Sequence, residues 1–149
     1  MYDTGALIAA ESNDQRMWAI HLRALRRGVV PRVPAACIVE AWRGGSTTNL
    51  RRLLVGCEID DLTAERARAA GVLLRDLAHR VSATDATVVE AALRRNSAVV
   101  TADRGGVTVL ATAARRRIEI IDVCAPDQRC LSTTDHFARL PEERFTRAC

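Results

Sequence analysis

Lysine is absent from this chain: all 22 basic residues are arginine. A phosphate loop of the Walker type is thereby excluded, because that loop needs its Lys, and Asp103-Arg104-Gly105-Gly106 lacks the spacing as well. Aromatic residues make up only 3%, so the core must be built from Ala, Val, Leu and Ile. The five cysteines, Cys37, Cys57, Cys124, Cys130 and Cys149, form no CxxC, and their number is odd. With only His21, His79 and His136 to add, none at a useful spacing from a thiol pair, no zinc site is expected. His21 and His79 fall in helical patterns and read as surface or half-buried residues. No Ser/His or Cys/His arrangement supports covalent catalysis. There is no internal repeat, no transmembrane run and no signal peptide, so reduced thiols in a cytoplasmic protein with no membrane association are expected.

What is present fits one ordinary domain. A chain of 149 residues with 48% apolar and 27% charged residues buries close to two thirds of its unfolded surface, by the usual scaling. The net charge of +4 persists beside a set of acids, and a basic surface around an acidic centre suits a polyanionic substrate.

Strand and helix signals alternate. Met1 to Thr4 reads as the end of a strand, followed by a helix through Ala10 and a break at Ser12-Asn13-Asp14. Met17, Ile20, His21, Ala24 and Leu25 share a helical face, which Gly28 terminates. Val29 to Val33 is a second strand, and Pro34 opens a helix that runs through Glu40 to Arg43 and stops at Gly44-Gly45. Further helices are predicted over Thr48 to Leu54 and from a Thr63 cap to Arg80, with a short strand from Cys57 to Asp60 between them. Ser82-Ala83-Thr84-Asp85 has the capping-box pattern. The helix behind it leads to strand Ala98 to Thr101, a loop over Asp103 to Gly106, a helix carrying Val107, Leu110, Ala111 and Ala114, and a last strand from Ile118 to Val123. This alternation predicts an α/β fold, a mostly parallel sheet covered by helices on both faces. Residues 124–149 have no sustained period and read as a weakly ordered tail behind a domain of residues 1–123.

Asp3, Glu40, Asp85 and Asp103 each stand at a predicted junction with a helix. In an open parallel sheet, ligands bind outside the C-terminal ends of the strands, where helix N-termini also point. Two carboxylates about 5 Å apart repel by about 3 kcal/mol at an effective dielectric of about 20. A gathered set therefore takes up protons or a cation. No Arg lies within two residues of Asp3, Glu40 or Asp85, so Mg²⁺ or Mn²⁺ is the natural partner. Such an ion would activate a water and neutralise phosphate oxygens, which points to phosphodiester hydrolysis. Thr101, two residues before Asp103, is placed to hold a water or a phosphate oxygen, with Thr4 a lesser candidate.

Four segments together resemble the PIN-domain ribonucleases, and within them the VapC-type toxins of toxin–antitoxin pairs: Tyr2-Asp3-Thr4-Gly5-Ala6-Leu7, Pro34-Ala35-Ala36-Cys37-Ile38-Val39-Glu40, Asp85-Ala86-Thr87-Val88-Val89-Glu90-Ala91-Ala92 and Val100-Thr101-Ala102-Asp103. The resemblance covers residues 1–123. It implies a three-layer α/β/α fold with sheet order 3-2-1-4-5 and a homodimer. It implies a metal-dependent endoribonuclease acting on RNA as a toxin, and a VapB-like antitoxin as partner. By position, Asp3, Glu40, Asp85 and Asp103 would be the metal-site acids and Thr101 the supporting hydroxyl. Arg43, Arg51, Arg52 and Arg104 would contact RNA, while Arg115-Arg116-Arg117 suits a helix end. Trp18 and Trp42 would mark partner contacts or core. The chain departs from the family pattern in having only Met1 and Tyr2 before Asp3, and Gly105-Gly106 where relatives carry a further acid or Asn. Those departures motivate the alternative: a catalytically weak or inactive PIN-like module that binds RNA or an antitoxin.

Overall fold

Two pairs of short parallel strands form the centre of the molecule. β1 (Arg32–Pro34) pairs with β2 (Glu58–Asp60), and β3 (Val99–Thr101) pairs with β4 (Ile120–Asp122). The first residues of the chain are hydrogen-bonded to both pairs. Tyr2 N–H donates to the Arg32 carbonyl at 2.8 Å, Val100 N–H to the Met1 carbonyl at 2.8 Å, and Asp3 N–H to the Val100 carbonyl at 3.2 Å. A parallel bridge joins Tyr2 with Val100. This is a computed structural model, and it describes residues 1–42, 44, 47–75, 77 and 80–123. The expected tail 124–149, with Cys124, Cys130, Cys149 and His136, lies outside the described residues, as do Arg43 and His79.

Seven helices among the described residues pack around the strands: α1 (Thr4–Glu11), α2 (Gln15–Arg26), α3 (Ala35–Ala41), α4 (Thr48–Val55), α5 (Ala64–Leu73), α6 (Ala83–Arg95) and α7 (Arg104–Ala113). Their starts follow local chemistry. Asp14 accepts from Met17 N–H, Thr63 from Arg66 N–H, and Ser82 and Asp85 close a reciprocal capping box. The core they share is aliphatic: Leu7, Met17, Val33, Leu50, Leu53, Val89, Val99 and Leu110 are fully buried. The architecture is mixed α/β with parallel pairing throughout the described strands. Among the described residues no helix is long and apolar enough to cross a membrane.

Several boundaries differ from expectation, each for a physical reason. β1 starts at Arg32 rather than Val29, because Pro31 has no N–H to give the ladder. Val29 and Val30 are left half-exposed. α3 ends at Ala41, and Glu40 therefore lies in its last turn rather than near its start. α5 stops at Leu73 instead of Arg80. Gly105 and Gly106, expected in a loop, form the first turn of α7 with Asp103 as its cap. His21 is buried rather than half-exposed, its ring nitrogen Nδ1 3.2 Å from the Tyr2 hydroxyl.

Gly5 is required where it stands. A Cβ there would lie 2.7 Å from the Ala102 Cβ and 3.1 Å from its backbone nitrogen. That contact seats the start of α1 directly against the turn after β3, the two places from which Asp3 and Asp103 project.

Candidate active site

Three of the four acids are helix-start residues, and this explains both their positions and their convergence. Asp3 caps α1 and its Oδ1 accepts from Ala6 N–H at 2.7 Å. Asp103 caps α7, its Oδ1 accepting from Gly105 N–H at 2.9 Å. Asp85, in the first turn of α6, accepts from Ser82 N–H through Oδ2 at 3.1 Å. The positive ends of three helices thus meet the carboxylates they stabilise. Glu40 arrives from the end of α3 and is held on both oxygens. The Thr4 hydroxyl donates to Oε2 and the Thr84 hydroxyl to Oε1, each at 2.7 Å.

The acids share one electrostatic neighbourhood. The Asp3 carboxyl is 6% exposed. Burial raises it to about 6, the charges of Asp85 and Asp103 adding to the rise while the Thr101 hydroxyl and Ala6 N–H oppose it. Asp85 is also raised, first by burial and then by Asp103 and Glu40, against the hydrogen bonds from Ser82. The Cys37 thiol, on the buried face of α3, is pushed up by burial and by Asp3, Glu40 and Asp85, with a hydrogen bond to Thr4 working the other way. Cys37 is fully buried in the core cluster and lies within the field of these acids.

Asp85 and Asp103 face each other across Gly106. A Cβ built there would stand 3.4 Å from Asp85 Oδ2 and 3.6 Å from Asp103 Oδ2. The missing side chain is what leaves a gap between the two carboxylates. Among the described residues no three His, Cys, Asp or Glu groups stand ready as a metal cage. Mg²⁺ needs none: it keeps several of its waters and takes one or two carboxylates besides substrate phosphate. The residues present, all-oxygen donors with one oxygen of Asp85 and one of Asp103 on either side of Gly106, fit a hydrated Mg²⁺ or Mn²⁺ and not a dehydrated, fully enclosed ion.

Thr101 is completely buried, its Oγ1 accepts from Asp103 N–H at 2.8 Å, and its hydroxyl lowers the Asp3 carboxyl against the effect of burial. It thus lies between two of the acids. The arginines expected at RNA are spread. Arg104 pairs with Asp122 at 3.0 Å, and Arg51 and Arg52, both on α4, lie over the rings of Trp42 and Trp18. Arg43 lies outside the described residues. Thr84 is a site residue that the sequence did not indicate, since only the packing of α3 on α6 brings its hydroxyl to Glu40. No protein-family model matches this chain, and neither does any of the curated proteins compared with it.

Proposed function

We propose that this chain is a PIN-like endoribonuclease that depends on Mg²⁺ or Mn²⁺ and acts as the toxin of a toxin–antitoxin pair, with a VapB-like antitoxin as partner and a homodimer as the working form. The observation that carries the enzymatic part is the burial of Asp3 in a common field with Asp85 and Asp103, while no Arg among the described residues forms an ion pair with any of the three. A buried carboxylate beside two others, without a cationic side chain, is unfavourable unless a proton or a metal joins it. The strand arrangement is consistent with this reading. If the first three residues are counted as a strand between β1 and β3, the order becomes 3-2-1-4-5.

A bound divalent ion supplies an activated water and neutralises charge on the phosphate oxygens. The protein's part is positional. Asp85 and Asp103 would hold the ion across the Gly106 gap, with Asp3 behind them and Glu40 fixed between Thr4 and Thr84. Thr101 keeps Asp3 and the Asp103 turn in register. The N-termini of α1, α6 and α7 favour the negative charge of a phosphodiester at the same place.

One assay tests the proposal: cleavage of a panel of structured RNAs in Mg²⁺, in Mn²⁺ and in EDTA. Cleavage should need the metal and should disappear in Asp3→Asn and Asp103→Asn while the fold persists. Equal cleavage by parent and variants overturns it. The alternative, a module that binds RNA without turnover, is favoured by the capping hydrogen bonds that already engage Asp3, Asp85 and Asp103. It predicts RNA binding and no metal-dependent product in the same panel.

A further inference from the structure

The two tryptophans make the same contact in different surroundings. Each lies beneath an arginine of α4: the Arg52 guanidinium carbon is 4.9 Å from the Trp18 ring centroid, and that of Arg51 is 5.2 Å from Trp42. Packing accounts for Trp18. Its indole N–H donates to the Ala10 carbonyl at 3.2 Å, its ring meets His21 edge-on at 5.8 Å, and it rests against the core.

Trp42 differs. The side chain is 39% exposed and makes no indole hydrogen bond among the described residues. Its arginine is set in place, the Arg51 Nε donating to Thr47 Oγ1 at 3.1 Å, yet forms no ion pair among the described residues. Trp42 is also two residues from Glu40, so the two Cα atoms are at most about 7.6 Å apart. An exposed indole, with a guanidinium over it that has no ion pair among the described residues, thus stands at the end of the helix that carries Glu40.

We infer that the Trp42–Arg51 stack is a platform for an unpaired nucleobase of the RNA strand, next to the acids. The inference rests on the ribonuclease reading and adds the group that positions the strand. Every base has a π face, so stacking on an indole accepts any base, and a neighbouring guanidinium supplies both a cation–π contact and a donor for phosphate. Bases inside a duplex have their faces covered by their neighbours, so the platform selects single-stranded segments. A protein partner would need an acid placed opposite Arg51, whereas RNA brings a phosphate charge with each nucleotide.

The test is binding in EDTA, where no turnover is expected, with single-stranded oligoadenylate as the probe and its duplex with oligouridylate as the comparison. Trp42→Ala should weaken binding of the single strand about tenfold, within the range known for base–aromatic stacking. Trp42→Phe should restore most of it, Arg51→Gln should weaken it, and duplex binding should not respond to Trp42. In a Trp18→Phe background the remaining indole fluorescence should be quenched by the single strand. Unchanged binding by Trp42→Ala overturns the inference. So does a change in sedimentation with RNA binding intact, which would assign the surface to a protein contact. Because the readout is binding without metal, a chain that binds through Trp42 but never cleaves refutes the nuclease reading alone, and a chain that cleaves with Trp42→Ala binding as the parent does refutes only the platform.

Discussion

A carboxyl as buried as Asp3, titrating near 6, leaves a measurable trace on the fold. The displacement from 3.8 to about 6 corresponds to about 3 kcal/mol between the protonation states. Its sign follows from proton uptake. The native state binds the Asp3 proton more tightly than the unfolded chain does, so this stability is fully present below about pH 4 and is lost as pH rises through about 6. Asp3→Asn keeps a side-chain oxygen to cap α1 and removes the charge. It should therefore be more stable than the parent at pH 8 by up to about 3 kcal/mol, with the difference closing below about pH 4. Added Mg²⁺ should narrow the gap at pH 8 by binding the folded parent. Urea unfolding across pH with and without the ion measures both effects, and a variant no more stable than the parent at pH 8 would show that the buried charge is already compensated within the chain.

Between elements, glycines decide how closely the acids can meet. Gly5→Ala would drive a Cβ into Ala102 at 2.7 Å and separate α1 from the turn that carries Asp103. A loss of about 1–3 kcal/mol is expected, as for other overpacked contacts, together with loss of cleavage. Gly106→Ala makes the opposite forecast for stability. The position is in the first turn of α7, where Ala is the better helix former, so thermal stability should hold or rise while the added methyl, in ordinary contact with Asp85 and Asp103, takes space beside their oxygens and weakens Mg²⁺ response. Thermal unfolding and Mg²⁺ titration of the two variants separate packing from site. The same elements show what the sequence made readable. Ser82 and Asp85 announced α6 because a capping box is local chemistry. Asp103 as a cap was hidden, because two glycines after it argue against a helix until packing of Val107 and Leu110 overrides propensity. Glu40 was identified as an acid of interest, but its partners Thr4 and Thr84 were not paired with it: they lie 36 and 44 residues away, and only the packing of α1, α3 and α6 brings them together.

Across the whole molecule, one unforeseen ion cluster ties the β1–β2 pair to the helices. Asp60, at the end of β2, is buried and receives Arg94 and Arg95 from α6, at 2.5 and 2.6 Å, with Arg66 of α5 at 3.8 Å. Nothing in the sequence pairs these arginines with Asp60, because their common acceptor is reached only in the folded chain. Burial would raise the Asp60 carboxyl, but the hydrogen bonds and charges of Arg95 and Arg94 prevail and hold it below its ordinary value. The sign is therefore opposite to that of Asp3. Stability from Asp60 is present above the unfolded carboxylate range and is lost as pH falls through its depressed value. Because α6 carries Asp85 at one end and Arg94 and Arg95 at the other, this cluster fixes the helix along its axis and with it one wall of the acid centre. Asp60→Asn should destabilise the protein at pH 7 by about 2 kcal/mol, below the full value of a broken buried pair because the arginine side chains are about a third exposed and regain water. The loss should shrink once pH falls below the depressed value, where the parent carboxyl is protonated too. Urea melts at pH 7 and at the lowest pH the fold tolerates decide it: a variant equal to the parent at pH 7 would mean that the packing of α5 on α6, and not the ion cluster, holds the site wall in place.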